Sequence, residues 1–213
     1  MKRVGLLGGS FNPAHRGHRQ LSLAALRALD LDEVWWLVSP GNPLKDDAGM
    51  APYQARLASA KEAARGTPIR VSDFEQQAGT RYTVDTLREL VARHSRTRFI
   101  WLMGMDTLTN FHLWKEWRTL ARLVPIAVLP RPGYDAAARA GRAMGWLRGF
   151  VRPFGQVRNW TQWSPPAIFF LRLPTDRTSA TALRALNPDW HRLPRQRARR
   201  EGPTPDRRRP LAR

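Results

Sequence analysis

The chain of 213 residues contains no cysteine, which rules out disulfides, zinc–thiolate sites and thiol nucleophiles. It also lacks any apolar run long enough to cross a bilayer as a helix. The apolar stretch after Met1-Lys2-Arg3 breaks at Gly8-Gly9 and again at Asn12-Pro13, too early for a signal peptide. A cytoplasmic protein that does not engage a membrane is the expectation. Acidic residues are scarce: 17 Asp and Glu stand against 36 Lys and Arg, a net charge of +19. Nine Arg against Glu201 and Asp206 put +7 of this on residues 191–213. A basic surface suits nucleic acid, anionic membrane or phosphorylated small molecules. An excess of arginine over lysine also follows from genome composition alone.

What is present is a chain 42% hydrophobic, enough for one α/β domain with a sizeable core. The pattern predicts a strand over about residues 3–7 and a helix from near Arg16 to Leu29. Residues 33–38 form a second, continuously apolar strand, as in a parallel sheet covered on both faces. Further strands are expected over residues 69–72, 98–103, 124–129 and 167–171. Helices are expected over residues 53–65, with Arg56, Lys61, Glu62 and Arg65 as its polar side, and from Thr83 as N-cap. Asp135 to Leu147 reads as one helix and residues 152–166 as an extended loop. The expected fold is a doubly wound, mainly parallel α/β sheet with helices on both faces. Residues 1–190 make its domain, and 191–213 a basic tail with too little to bury to order itself.

The informative stretch follows the first strand: Gly8-Gly9-Ser10-Phe11-Asn12-Pro13-Ala14-His15-Arg16-Gly17-His18. Glycines admit a ligand close to the backbone, and a helix start points unpaired amides outward. His15 and His18, three apart, share a face of that helix start. The arrangement suits several phosphate oxygens. No Ser or Cys stands beside the histidines to be activated, so electrostatic stabilisation fits better than covalent catalysis. The blander alternative is a strand–turn–helix with two solvated histidines. Neither the Walker ending nor the dinucleotide fingerprint is present.

This string resembles the signature of the nucleotidyltransferase superfamily with the His-x-Gly-His motif. More narrowly, the chain resembles the bacterial nicotinate-nucleotide adenylyltransferases over roughly residues 2–186. Four later segments carry the narrower resemblance. The first is Pro40-Gly41-Asn42-Pro43-Leu44-Lys45, in which Leu44 stands where many relatives have His. The second is Tyr82-Thr83-Val84-Asp85-Thr86-Leu87. The third is Gly104-Met105-Asp106 continuing to Phe111-His112-Leu113-Trp114, with Arg131-Pro132-Gly133 beyond it. The fourth is Thr178-Ser179-Ala180-Thr181-Ala182-Leu183-Arg184, in which Thr178 and Ala180 depart from the superfamily pattern. Read without the resemblance, these are a Pro/Gly/Asn turn, two capped helices and core tryptophans.

The resemblance implies a Rossmann-like fold and adenylyl transfer from ATP to nicotinate mononucleotide. His15, His18 and Arg184 would be catalytic. Gly8, Gly9, Ser10, Phe11, Gly104, Asp106, Ser179 and Thr181 would join those three in holding ATP. Asn42, Lys45, Tyr82, Thr83, Trp114 and Arg131 would hold the mononucleotide, whose ring stacks on Trp114. Trp117 is left as structural. An anion gains more than a neutral amide at the amides near Tyr82-Thr83. A hydrogen bond to a charged group is worth roughly 1.5–3 kcal/mol, against about 0.5–1.5 for a neutral one. This favours the acid over nicotinamide mononucleotide. Magnesium would arrive on the ATP phosphates, with no protein cage for a metal. A phosphopantetheine substrate leaves the Tyr82–Leu87 and Trp114 matches unexplained. A basic nucleic-acid binder is the alternative from another class, though no specific nucleic-acid partner is expected. The oligomeric state is open, a homo-oligomer included.

Overall fold

Six extended runs, most with an apolar centre, become six parallel strands. The computed structural model describes residues 1–41, 49–174, 176 and 178–192. The strands are β1 (Lys2–Gly9), β2 (Glu33–Val38), β3 (Ile69–Ser72), β4 (Thr97–Gly104), β5 (Ile126–Leu129) and β6 (Ile168–Phe170). Their order is β3-β2-β1-β4-β5-β6, every neighbouring pair parallel. The order reverses between β1 and β4, so the Rossmann-like, doubly wound expectation is met. No helix among the described residues is long and apolar enough to cross a membrane.

Period-two alternation supplies both faces. Leu6, Leu37, Trp101, Met103 and Val128 point to one side, and Trp36, Val38, Ile100, Leu102 and Leu129 to the other. Burial of each such side chain is worth about 1.5–3 kcal/mol. The first face is covered by α4 (Thr83–Arg93), α5 (Met105–Thr109), α6 (Trp117–Leu123), α7 (Asp135–Ala140) and α8 (Arg142–Leu147). The second is covered by α1 (Arg16–Ala28), α2 (Tyr53–Ala64) and a 3-10 segment, Phe154–Gln162. Two short helices complete the chain, α3 (Phe74–Gln77) and α9 (Ala180–Leu186).

Two expectations need correction here. The single helix from Asp135 to Leu147 is broken at Gly141, whose extended backbone (φ −62°, ψ 151°) separates α7 from α8. The extended loop over 152–166 is mostly the 3-10 segment. Trp160 is buried there and donates its indole N–H to the Leu29 carbonyl at 2.9 Å, pinning the segment over the end of α1. Most of the basic tail, residues 193–213, lies outside the described residues.

Candidate active site

The carboxyl ends of β1 and β4 flank the point where strand order reverses, where sheets of this kind bind ligands. Gly8 and Gly9, expected in the loop, are the last residues of β1. A side chain at Gly8 would meet the Trp101 indole of β4 at 2.7 Å. The absence of a side chain at Gly8 therefore accommodates Trp101. The turn itself starts at Phe11, which takes a left-handed backbone, φ 47°. Its ring is buried and stacks on Trp36 at 4.9 Å, so only its backbone remains for a ligand.

His15 and His18 cap α1 between them. His15 Nδ1 accepts from the Gly17 amide at 3.1 Å, and His18 Nδ1 accepts from the His15 amide at 3.3 Å. Backbone amides only donate, so both Nδ1 atoms are unprotonated and each neutral ring carries its proton on Nε2. The ring centroids are 3.8 Å apart. Gly17 permits this fold-over, since a Cβ there would stand 3.0 Å from the His15 ring.

Electrostatics keep both rings neutral. Burial, then the Arg131 charge, pushes His15 down to about 4, with Asp176 opposing. Burial, then His15 and Arg131, pushes His18 down to about 3. The consequence for stability has a definite sign. Below the ordinary imidazole value of about 6.5 the unfolded chain takes up protons that the folded pair refuses. Acid therefore favours unfolding from about pH 6.5 down through about 4 and 3. Above about 6.5 the pair contributes no pH dependence. In the ligand-free protein the ring-proton NMR signals of His15 and His18 should stay fixed between about pH 8 and 5.5. A midpoint near 6.5 would contradict the buried, neutral pair.

Arg131, expected against the mononucleotide, pairs at 3.4 Å with Asp106 in the first turn of α5. Its charge is felt by both histidines, so β5 delivers a cation to their crevice. From the other end of the sequence, Arg184 donates to the Asn12 carbonyl at 2.6 Å and to the Thr181 hydroxyl at 3.3 Å. Ser179 caps α9 by accepting from the Ala182 amide at 3.1 Å. The first loop and the last helix thus meet. Asp176 faces Arg16 at 3.6 Å. Asp176, whose charge reaches His15, is therefore paired with an arginine, as is Asp106.

On the other side of the crevice, α4 begins one residue earlier than expected. The Tyr82 carbonyl accepts from the Asp85 and Thr86 amides, so Tyr82 is the N-cap and Thr83 the first helical residue. The first-turn amides of Thr83 and Val84 have no intrahelical acceptor. Trp114 is half-buried, edge-on to Trp101 at 6.2 Å, whereas Trp117 is buried in the core as expected. Gly104 is the N-cap of α5. Asn42 and Lys45 lie outside the described residues.

Two residues escaped the sequence. Arg56, read as part of a polar face, is buried. Its guanidinium donates to Ser10 O at 2.8 Å, Ser39 O at 2.7 Å, Pro40 O at 2.9 Å and Ala51 O at 3.0 Å. It thereby ties the loop after β1 to the loop after β2. Asn12 closes the same bracket: its amide donates to Gly49 O at 3.0 Å and accepts from the Ala51 amide at 3.3 Å.

Comparison with known proteins places this geometry. Residues 6–186 match the family described as cytidylyltransferase-like. A protein of Erythrobacter litoralis described as "Probable nicotinate-nucleotide adenylyltransferase" is 60% identical over 188 residues, covering 88% of this chain and 86% of that one. One of the same description from Parvibaculum lavamentivorans is 51% identical over 182 residues, covering 85% and 90%. Among solved structures, the Plasmodium falciparum nicotinic acid mononucleotide adenylyltransferase complexed with NaAD shares the fold. Its TM-score is 0.62 at 15% identity, with 87% of this chain and 83% of that one covered. The chain belongs to the cytidylyltransferase-like family and, within it, to the nicotinate-nucleotide adenylyltransferases.

Proposed function

We propose that the protein transfers the adenylyl group of ATP to nicotinate mononucleotide, forming nicotinate adenine dinucleotide and pyrophosphate. The observation that carries this reading is the bond from Arg184 to Asn12 O, which brings a second cation to the loop of the neutral His15–His18 pair. The descriptions of relatives 46–60% identical support the substrate pair.

A phosphate oxygen of the mononucleotide attacks the α-phosphorus of ATP in line. The bond to the bridging oxygen breaks, and pyrophosphate leaves with its electron pair. No group is transferred to the protein. The Nε2–H groups of His15 and His18 donate to charge that builds on the α-phosphate, and Arg184 serves the departing pyrophosphate. Because the rings are already neutral and fixed through Nδ1, no rearrangement is needed when that charge appears. Lys45 is assigned the attacking phosphate, and the Thr83 and Val84 amides the pyridine carboxylate. Trp114 stacks on the ring. Magnesium, carried by the ATP phosphates, neutralises part of their charge when bound. The nearby carboxylates are engaged by Arg131 and Arg16, which favours the nucleotide as its holder.

ATP labelled in its α-phosphate tests the reading. The label should move into a dinucleotide only when nicotinate mononucleotide is present. Label that stays in ATP, or passes to the protein, contradicts it.

A further inference from the structure

A cavity of about 360 Å³ opens between the loop after β2 and the segment leading into α4, walled by Pro40, Gly41, Glu75, Thr80 and Arg81. It adjoins the helix start to which the proposed function assigns the pyridine carboxylate. Glu75 is buried on the short α3, only 9% exposed. Its carboxylate oxygen lies 3.3 Å from the Thr86 hydroxyl, which is itself fully buried. That hydroxyl lies 2.9 Å from the Thr80 hydroxyl and 3.3 Å from the Tyr82 carbonyl. The Glu75 carboxyl and the Thr80 hydroxyl, both at the cavity wall, are thus joined through the buried Thr86 hydroxyl.

Each hydroxyl has one proton to give. With Glu75 ionised, Thr86 donates to it and Thr80 donates to Thr86. Thr80 then shows the cavity lone pairs alone. With Glu75 protonated, the carboxyl donates to Thr86, and Thr86 in turn donates to Thr80. The Thr80 proton is then released to the cavity. A pyridine carboxylate needs donors, whereas a carboxamide also brings an N–H that needs an acceptor.

We propose that Glu75, acting through Thr86 and Thr80, sets the hydrogen-bond polarity of this cavity and so governs discrimination between acid and amide mononucleotides. The inference rests on the adenylyl-transfer reading above. Glu75 is a positioning residue here, because it acts through the two hydroxyls. In its ionised state its own charge further disfavours a carboxylate at the same wall.

The environment puts this switch in the neutral range. Burial raises the Glu75 carboxyl to about 7, with the Thr86 hydrogen bond pulling the other way. The charged groups around it are largely engaged elsewhere. On α2, Arg56 holds four carbonyls, and Tyr53 is within electrostatic reach of Glu75, Asp73 and Arg56. Asp73, ahead of α3, accepts from Gln77 at 2.8 Å. On α4, Arg93 lies over the Phe74 ring and pairs with Glu89. On β2, Glu33 pairs with Lys2. Arg81 stands at the cavity wall.

The test is the ratio of kcat/KM for nicotinate over nicotinamide mononucleotide between about pH 6 and 8.5. Both substrates carry the same phosphate and use the same ATP, so those ionisations cancel in the ratio. The ratio should fall roughly tenfold as pH rises, the scale separating a charged from a neutral hydrogen bond. Glu75→Gln, which has no proton to gain or lose in this range, should make the ratio independent of pH throughout. Thr80→Val, half-buried at the cavity wall, should flatten the ratio at a low value, and it carries the test if the Glu75 variant fails to fold. A flat wild-type ratio, or a slope that survives in both variants, overturns the relay while leaving adenylyl transfer standing. Turnover with neither mononucleotide overturns both.

Discussion

His18→Ala is expected to lower turnover roughly 100–1,000-fold, the scale for deleting one preorganised donor to transition-state charge. The loss should fall on kcat more than on KM, because the Nε2–H bond strengthens only as charge develops. The ring is also structural. It accepts from the His15 amide at 3.3 Å and packs on Phe11 at 5.0 Å. Thermal denaturation must therefore accompany the kinetics. A folded His18→Ala protein with near-normal turnover would remove His18 from the chemistry and leave it only a cap.

Arg56→Met carries the second large effect, on stability first. Four carbonyls lose their donor at once. Only the Ala51 carbonyl is fully buried; an abandoned buried carbonyl costs about 1–3 kcal/mol, and water recovers much of the loss at the three part-buried ones. A net loss of about 3 kcal/mol lowers the melting temperature by about 6–12 °C in a domain of this size. Activity should fall as well, because Ser10 and Ser39 belong to the two loops that face the crevice. Arg56→Lys should recover little, since an ammonium cannot reproduce the planar fork. A melting temperature within about 2 °C of the parent would show that the bracket is not needed for stability.

The outline of the fold was open to reading because parallel strands buried on both faces leave continuous apolar runs. Residues 33–38 fall where that pattern puts them, and 69–72, at the sheet edge, are found where expected although Ile69 and Val71 alternate there with Arg70 and Ser72. The termini of elements were less legible. Gly8 and Gly9 read as a loop on composition, yet they belong to β1, where Trp101 takes the space of a Gly8 side chain and Phe11 lies against Gly9. Thr83 is a good capping residue by type, but the Tyr82 carbonyl closes the first turn. Arg56 was misplaced although a clue was present. It heads the i, i+4 row Arg56, Ala60, Ala64, whose other members are small and buried. A charged side chain on that row had to find partners beneath the helix, and the backbone of two distant loops supplies them.

The site divides in the same way. Residue types and spacing single out His15, His18 and Arg184 as candidates, but not the division of labour within each ring. That both Nδ1 atoms are consumed as caps, leaving Nε2–H outward, depends on amides the sequence does not locate. Nor could it foresee the Glu75–Thr86–Thr80 line, since α3 is a single turn without periodicity.

The most direct test of the account is the initial rate of pyrophosphate release from ATP and magnesium, with nicotinate and nicotinamide mononucleotide supplied separately at matched concentrations near pH 6.5. The account predicts rapid release with the acid and much slower release with the amide. Equal rates would contradict the carboxylate site at the start of α4, and release with neither would contradict adenylyl transfer itself.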